Sequence, residues 1–170
     1  MSAAQVAVVV GNPKPQSRTL AAARYLATEL AGHEPDLVVD LADLGERLLD
    51  WQDPVVADLV DEVGSADLVV FASPTYKGAY TGLLKLFLDR FATDGLTGVA
   101  VPLMLGGAPA HALAPEHTLR PVLTEIGGIV PTRGLYVIDS AHDDPAAYAA
   151  WLERARPVIA AFLDRTGAPA

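Results

Sequence analysis

The sequence predicts an α/β domain, one parallel sheet with helices on both faces, and three observations carry that expectation. Short all-apolar, valine-rich runs such as VAVVV (6–10) and DLVVFA (67–72) recur along the chain. Runs of that length and composition belong to strands buried on both faces. Segments with helical spacing separate them, and the connections are short throughout. Right-handed β–α–β crossovers satisfy that pattern.

Taken in order, Val6–Val10 reads as the first strand. A helix over 19–31 follows, with Leu20, Ala23, Leu26 and Leu30 on one face and Gly32 as its C-cap. Residues 37–41 form a second strand. Asp53 caps a helix over 54–63 whose first residue is Pro54, where a missing N–H costs nothing. The third strand (67–72) leads to a helix over 80–92. The fourth strand (98–105) contains Pro102, which a central strand rarely tolerates, so a bulge or a later strand start is expected there. A helix over 115–127, a fifth strand over 129–138 and a helix over 145–164 complete the chain. The last helix is opened by His142-Asp143-Asp144 and is expected to kink at Pro157. Five βα units in 170 residues make a single domain over 1–170.

Composition narrows the function. Hydrophobic residues make up 51% and charged residues 19%, enough apolar material for a large core. No apolar run approaches the roughly 18–20 residues of a membrane span. The start, MSAAQVAVVVG, has no basic leader, so a cytoplasmic protein without a secretory signal is expected. There is no cysteine, which excludes disulfides, thiolate nucleophiles and cysteine-ligated metals. A net charge of −9, from 21 acidic against 12 basic residues, disfavours a nucleic-acid partner. Lysine occurs at 14, 77 and 85 alone, so its positions carry information about where an anion sits.

Ligands of open parallel sheets bind at the carboxyl ends of the strands, beside the point where strand order reverses. The loops concerned are GNPKPQSRT (11–19), SPTYKGAYTG (73–82) and GGAPAHAL (106–113). The first has neither a Walker A pattern nor G-x-G-x-x-G. It does bring Ser17, Arg18 and Thr19 to a helix N-terminus, with Lys14 nearby, and such an end suits an anion. The plainer reading makes Ser17 an N-cap alone. In the second loop Pro74, Thr75, Tyr76 and Lys77 set an aromatic beside a cation, an arrangement able to flank a flat, negatively charged ring. A loop tyrosine is also commonly just packing. In the third, Gly106 and Gly107 permit close backbone approach to a ligand. His111 and His117 stand six apart and do not share a helix face as i,i+4 zinc ligands would. No G-x-S-x-G elbow is present, and no hydrolase triad or metal cluster is legible.

On G-x-P-x-x-x-S-x-T (Gly11 to Thr19), SPTYKGAYTGLLKLFLD (73–89) and GGAPAHALAPEHTLRPVL (106–123), the chain resembles the NADPH-dependent FMN reductases of the flavodoxin-like superfamily. The likeness is greatest to those supplying reduced flavin to alkanesulfonate monooxygenases. The resemblance implies a three-layer sandwich with strand order 2-1-3-4-5, FMN as cofactor and NADPH or NADH as hydride donor. It implies that Ser17, Arg18 and Thr19 hold the FMN phosphate. Pro74, Thr75, Tyr76 and Lys77 would line the isoalloxazine, and Gly106, Gly107 and Ala108 would flank its other edge. Lys77 would also stabilise charge on the reduced ring, in a reaction that asks for no protein nucleophile. His117 stands where some members carry a tyrosine, a position that bears on flavin retention. An FMN-retaining quinone, azo or chromate reductase is the alternative. A flavodoxin-type carrier fits the charge, but this chain lacks the hydroxyl-rich T-x-T-G-x-T-like phosphate loop that flavodoxins present. The apolar run 83–91 (Leu83, Leu84, Leu86, Phe87, Leu88, Phe91) wraps too far round for a surface helix. A homodimer or tetramer using it is therefore expected, with a flavin-dependent monooxygenase as a further partner.

Overall fold

The computed structural model describes residues 3–166, without side chains for 165 and 166. Met1 and Ser2, where the leaderless reading begins, lie outside them. Five parallel strands, β1 (Val6–Val10), β2 (Leu37–Asp40), β3 (Leu68–Pro74), β4 (Val99–Gly106) and β5 (Leu135–Ile138), form one sheet in the order β2-β1-β3-β4-β5. This is the expected order. Val8 pairs with Val38 on one side and Val70 on the other, so β1 is fully enclosed.

Each strand face feeds a separate core. Ala7, Val9, Val69, Phe71, Ala100 and Met104 pack beneath α2 (Pro54–Ser65), α3 (Gly82–Leu88) and α4 (Arg120–Glu125). Val6, Val8, Val10, Val70, Val101 and Leu103 face α1 (Arg18–Ala31) and α5 (Ala146–Thr166). The result is three layers.

The caps stand where the residue types put them. Ser17 Oγ accepts from Leu20 N (3.2 Å), Asp53 Oδ1 from Val55 N (3.0 Å) and Val56 N (3.1 Å), and Gly32 takes the left-handed C-cap at φ 79°. The hydrogen bond from Arg47 to the other Asp53 oxygen holds that carboxyl below its usual range.

Several expectations are corrected. β4 runs unbroken through Pro102, with neither a bulge nor a late start. Val99 N donates to Asp67 O and Ala100 N to Ile129 O, so the alternation turns the position-102 nitrogen towards β5. Pairing with β5 begins only at Leu103↔Leu135, and the proline therefore leaves no acceptor unmet. β5 itself is shorter than 129–138. Ile129 makes a single bridge to Val99, and Pro131 and Gly134 separate it from the strand proper. α3 is shorter than 80–92, because Thr81 holds an extended cap conformation and the helix cannot start before Gly82. The fourth helical segment opens with a π turn, Pro115–Leu119, before α4. α5 starts at Ala146, one residue later than expected, and runs to Thr166 with Pro157 inside it.

Of the run 83–91, Leu84, Phe87, Leu88 and Phe91 are buried within their own chain. Leu83 is half-buried and Leu86 exposed, so most of the run is explained by the core. No helix among the described residues is long and apolar enough to cross a membrane.

Candidate flavin site

Loop 11–19 leaves β1 at the switch point and is held at each turn. Gly11 N donates to Ala72 O (2.8 Å), Lys14 N to Asn12 Oδ1 (2.9 Å), and Asn12 Nδ2 to Thr19 Oγ1 (3.0 Å). Gln16 adopts φ 52°, and its N–H donates to Oδ2 of buried Asp40 at the end of β2 (3.0 Å). The loop thus delivers Ser17, Arg18 and Thr19 to the head of α1, where first-turn N–H groups lack helical partners. Ser17 and Thr19 are buried, whereas Arg18 is exposed and its guanidinium pairs with Asp139 beyond β5 at 2.5 Å. Lys14 is exposed and has no acidic partner among the described residues.

Loop 73–82 is tied to both of its neighbours. Thr81, an N-cap for α3 through Leu84 N (3.2 Å), also donates its hydroxyl to Gly11 O at 2.5 Å. Thr75 N donates to Leu105 O (2.7 Å). Tyr76 and Ala79 exchange backbone hydrogen bonds of 2.8 and 3.1 Å, closing a tight turn with Lys77 at φ 55° and Gly78 at φ 80°. The two left-handed residues match the twist of a two-residue hairpin turn. Tyr76 and Lys77 stand exposed at this tip. Among the described residues, Thr75 Oγ1, Asp40 Oδ1 and Thr132 Oγ1 are buried side-chain atoms without a hydrogen-bond partner.

On loop 106–113, Gly107 faces open space, but Gly106 does not. A Cβ at Gly106 would lie 2.0 Å from Tyr136 Oη, and that hydroxyl donates to Ala108 O at 2.8 Å. The small residue at 106 thus serves the packing of β5 as well as any ligand. Gly106→Ala is expected to push Tyr136 aside, free the loop and weaken flavin binding several-fold. Adding Tyr136→Ala should cost nothing beyond Tyr136→Ala alone, because the clash has gone. Flavin titrations and melts of the three variants check this. His111 is exposed on the 3-10 turn Pro109–His111, its ring within 4.0 Å of where a Cβ on Gly78 would stand. His117 is exposed on the π turn.

The residues read from sequence are thus on three loops cross-linked at one sheet edge. Thr81, Asp40, Asn12 and Tyr136, which hold those loops, were not read from the sequence. Thr81 alone carried a local signal, a hydroxyl immediately before an apolar run. The residue types present are compatible with FMN: the N-terminus of α1 carries a hydroxyl-bearing turn able to meet a phosphate, and the exposed Tyr76–Lys77 tip is able to meet a flat anionic ring.

Comparison with known proteins agrees. The family model for NADPH-dependent FMN reductases matches residues 4–143. The FMN reductase (NADPH) of Pseudomonas aeruginosa is 37% identical over 147 residues, covering 82% of this chain and 78% of the relative. The NADH-dependent FMN reductase SfnF of Pseudomonas putida is 32% identical, covering 95% and 94%. Among solved structures, the apo form of the NADH:FMN oxidoreductase EMOB superposes with a TM-score of 0.80 at 31% identity, covering 95% and 89%. The three cross-linked loops and these likenesses point the same way, and the chain belongs to the NADPH-dependent FMN reductase family.

Proposed function

We propose that this protein oxidises NADPH or NADH, reduces FMN as a substrate and releases the reduced flavin to a separate monooxygenase. The observation that supports the reading is the meeting of the three loops at one sheet edge, with Thr81 Oγ1 donating to Gly11 O and Thr75 N to Leu105 O near the end of β4. FMN, when bound, supplies the hydride-accepting ring. The chain's own part is placement. Ser17, Arg18 and Thr19 hold the phosphate end, Pro74 to Lys77 line one side of the ring, and Gly106, Gly107 and Ala108 flank the other. The Lys77 ammonium, which pairs with no carboxylate among the described residues, offsets negative charge gained on reduction. A homodimer or tetramer would use the exposed flank of α3 at Leu83 and Leu86, and light scattering at micromolar concentration should exceed the monomer mass of 17.8 kDa. A cytoplasmic location completes the reading.

Steady-state NADPH oxidation with varied FMN tests the function, in air and then anaerobically with a quinone. Saturation with FMN in the absence of quinone is the expected result. Tyr76→Ala and Lys77→Ala should impair it, with His111→Ala milder. The Staphylococcus haemolyticus FMN-dependent NADPH-azoreductase is also 32% identical over 139 residues, so the retained-flavin alternative has a concrete form. A yellow protein indifferent to added FMN and active only with a quinone or azo acceptor would establish that alternative.

A further inference from the structure

Most cations of this acidic protein are held, as Arg47 is by Asp53 (2.9 Å) and Lys85 by Asp89 (2.5 Å). Among the described side chains, Lys14, Lys77, Arg133 and Arg154 meet neither a carboxylate nor a carbonyl. The two lysines stand on the flavin loops. The two arginines line a different place, a cavity of about 430 Å³ between β5, the sheet's edge strand, and α5.

The cavity has the make-up of a ligand site, a mostly apolar wall with a few polar groups. Trp151 and Val158 come from one side of α5, spaced with Arg154 at i, i+3 and i+7, while Leu152 and Ile159 turn into the core. Leu135 and Tyr136 contribute from β5. The Trp151 indole N–H donates to Arg133 O at 2.7 Å, which fixes the ring as a wall and anchors the backbone bearing Arg133. Glu116, the acid in this lining, is already taken up by Arg120 at 3.6 Å and by the Gly134 N–H. The charge left facing a ligand is therefore positive. Guanidinium groups pair with planar oxyanions through parallel hydrogen bonds, and a flat apolar body stacks well on indole.

We propose that this cavity, which borders the third flavin loop at Ala112, is a second ligand site, distinct from the flavin site, for a small amphipathic anion. Its oxyanion head meets Arg133 and Arg154, and its aromatic or alkyl body lies against Trp151. Ala112 of loop 106–113 lines this cavity, and Tyr136 in its wall bonds Ala108, so the two sites share a boundary but no cation.

Calorimetric titration of naphthalene-2-sulfonate into the protein, with and without saturating FMN, tests this. One site per chain, insensitive to FMN, is expected. Arg133→Gln with Arg154→Gln should weaken it about tenfold or more, as should replacing the probe by neutral 2-naphthol. Both arginines are exposed, so melts of the double variant should match the parent. In a Trp51→Phe background, the probe should quench the remaining Trp151 fluorescence. Absence of binding at millimolar probe, displacement by FMN, equal affinity for 2-naphthol or indifference to the double variant would each overturn the proposal. A double variant that lowers the mass by light scattering while binding the probe as before would make the cavity a contact between copies of the chain, and would equally overturn it.

Discussion

Gly11→Ala is expected to destabilise the protein by about 3 kcal/mol and to abolish measurable FMN binding, although the substitution adds one methyl group. A Cβ at Gly11 would lie 2.4 Å from Leu84 Cβ and 3.1 Å from Leu84 Cα. Neither atom is the end of a flexible side chain, so α3 itself must retreat. Overpacking of a filled interior costs of this order. For a chain of this size that lowers the melting temperature by about 6–12 °C. The binding loss follows from connectivity, since Thr81 at the head of α3 donates to Gly11 O and carries loop 73–82 with it. Gly107→Ala is the control: open space surrounds that position, and a change within about 0.5 kcal/mol is expected. Thermal melts of both variants and flavin titration of the Gly11 variant check this, and equal destabilisation at 11 and 107 would refute the account.

Ser17→Ala with Arg18→Ala should weaken FMN binding tenfold or more while leaving riboflavin, which lacks the phosphate, nearly unaffected. Hydrogen bonds to charged groups contribute about 1.5–3 kcal/mol each. The structure adds a sign that the sequence did not contain. Arg18 rests on Asp139, and these two exposed side chains sit 2.5 Å apart. If the guanidinium serves the phosphate, Asp139 competes for it, and Asp139→Asn should tighten FMN a few-fold without altering riboflavin. Equal losses for FMN and riboflavin in the double variant would remove this loop from the phosphate role. An Asp139→Asn variant that weakens FMN would show that Asp139 positions Arg18 for the phosphate.

Features decided by neighbours in sequence were legible in it. The run Val6–Val10 could only be a buried strand, Asp53-Pro54 could only start a helix, and the three loops stood out because hydroxyls, an aromatic–lysine pair and paired glycines interrupt an otherwise apolar pattern. Pro102 was misread because its tolerance depends on which side its missing N–H faces and on where β5 begins, and both are properties of the assembled sheet. Tyr136 and Asp40 were silent for the same reason: each acts on a loop far away in sequence, through Ala108 and Gln16. Spacing and residue type determined the five βα units, the caps and the three loops at the carboxyl edge of the sheet, because these depend on backbone propensity and hydrophobic periodicity over a few residues. Which side chains brace those loops, that Arg18 is shared with Asp139, and that Arg133 and Arg154 line one cavity were decided only by the tertiary structure. They rest on contacts between elements that the crossovers bring together.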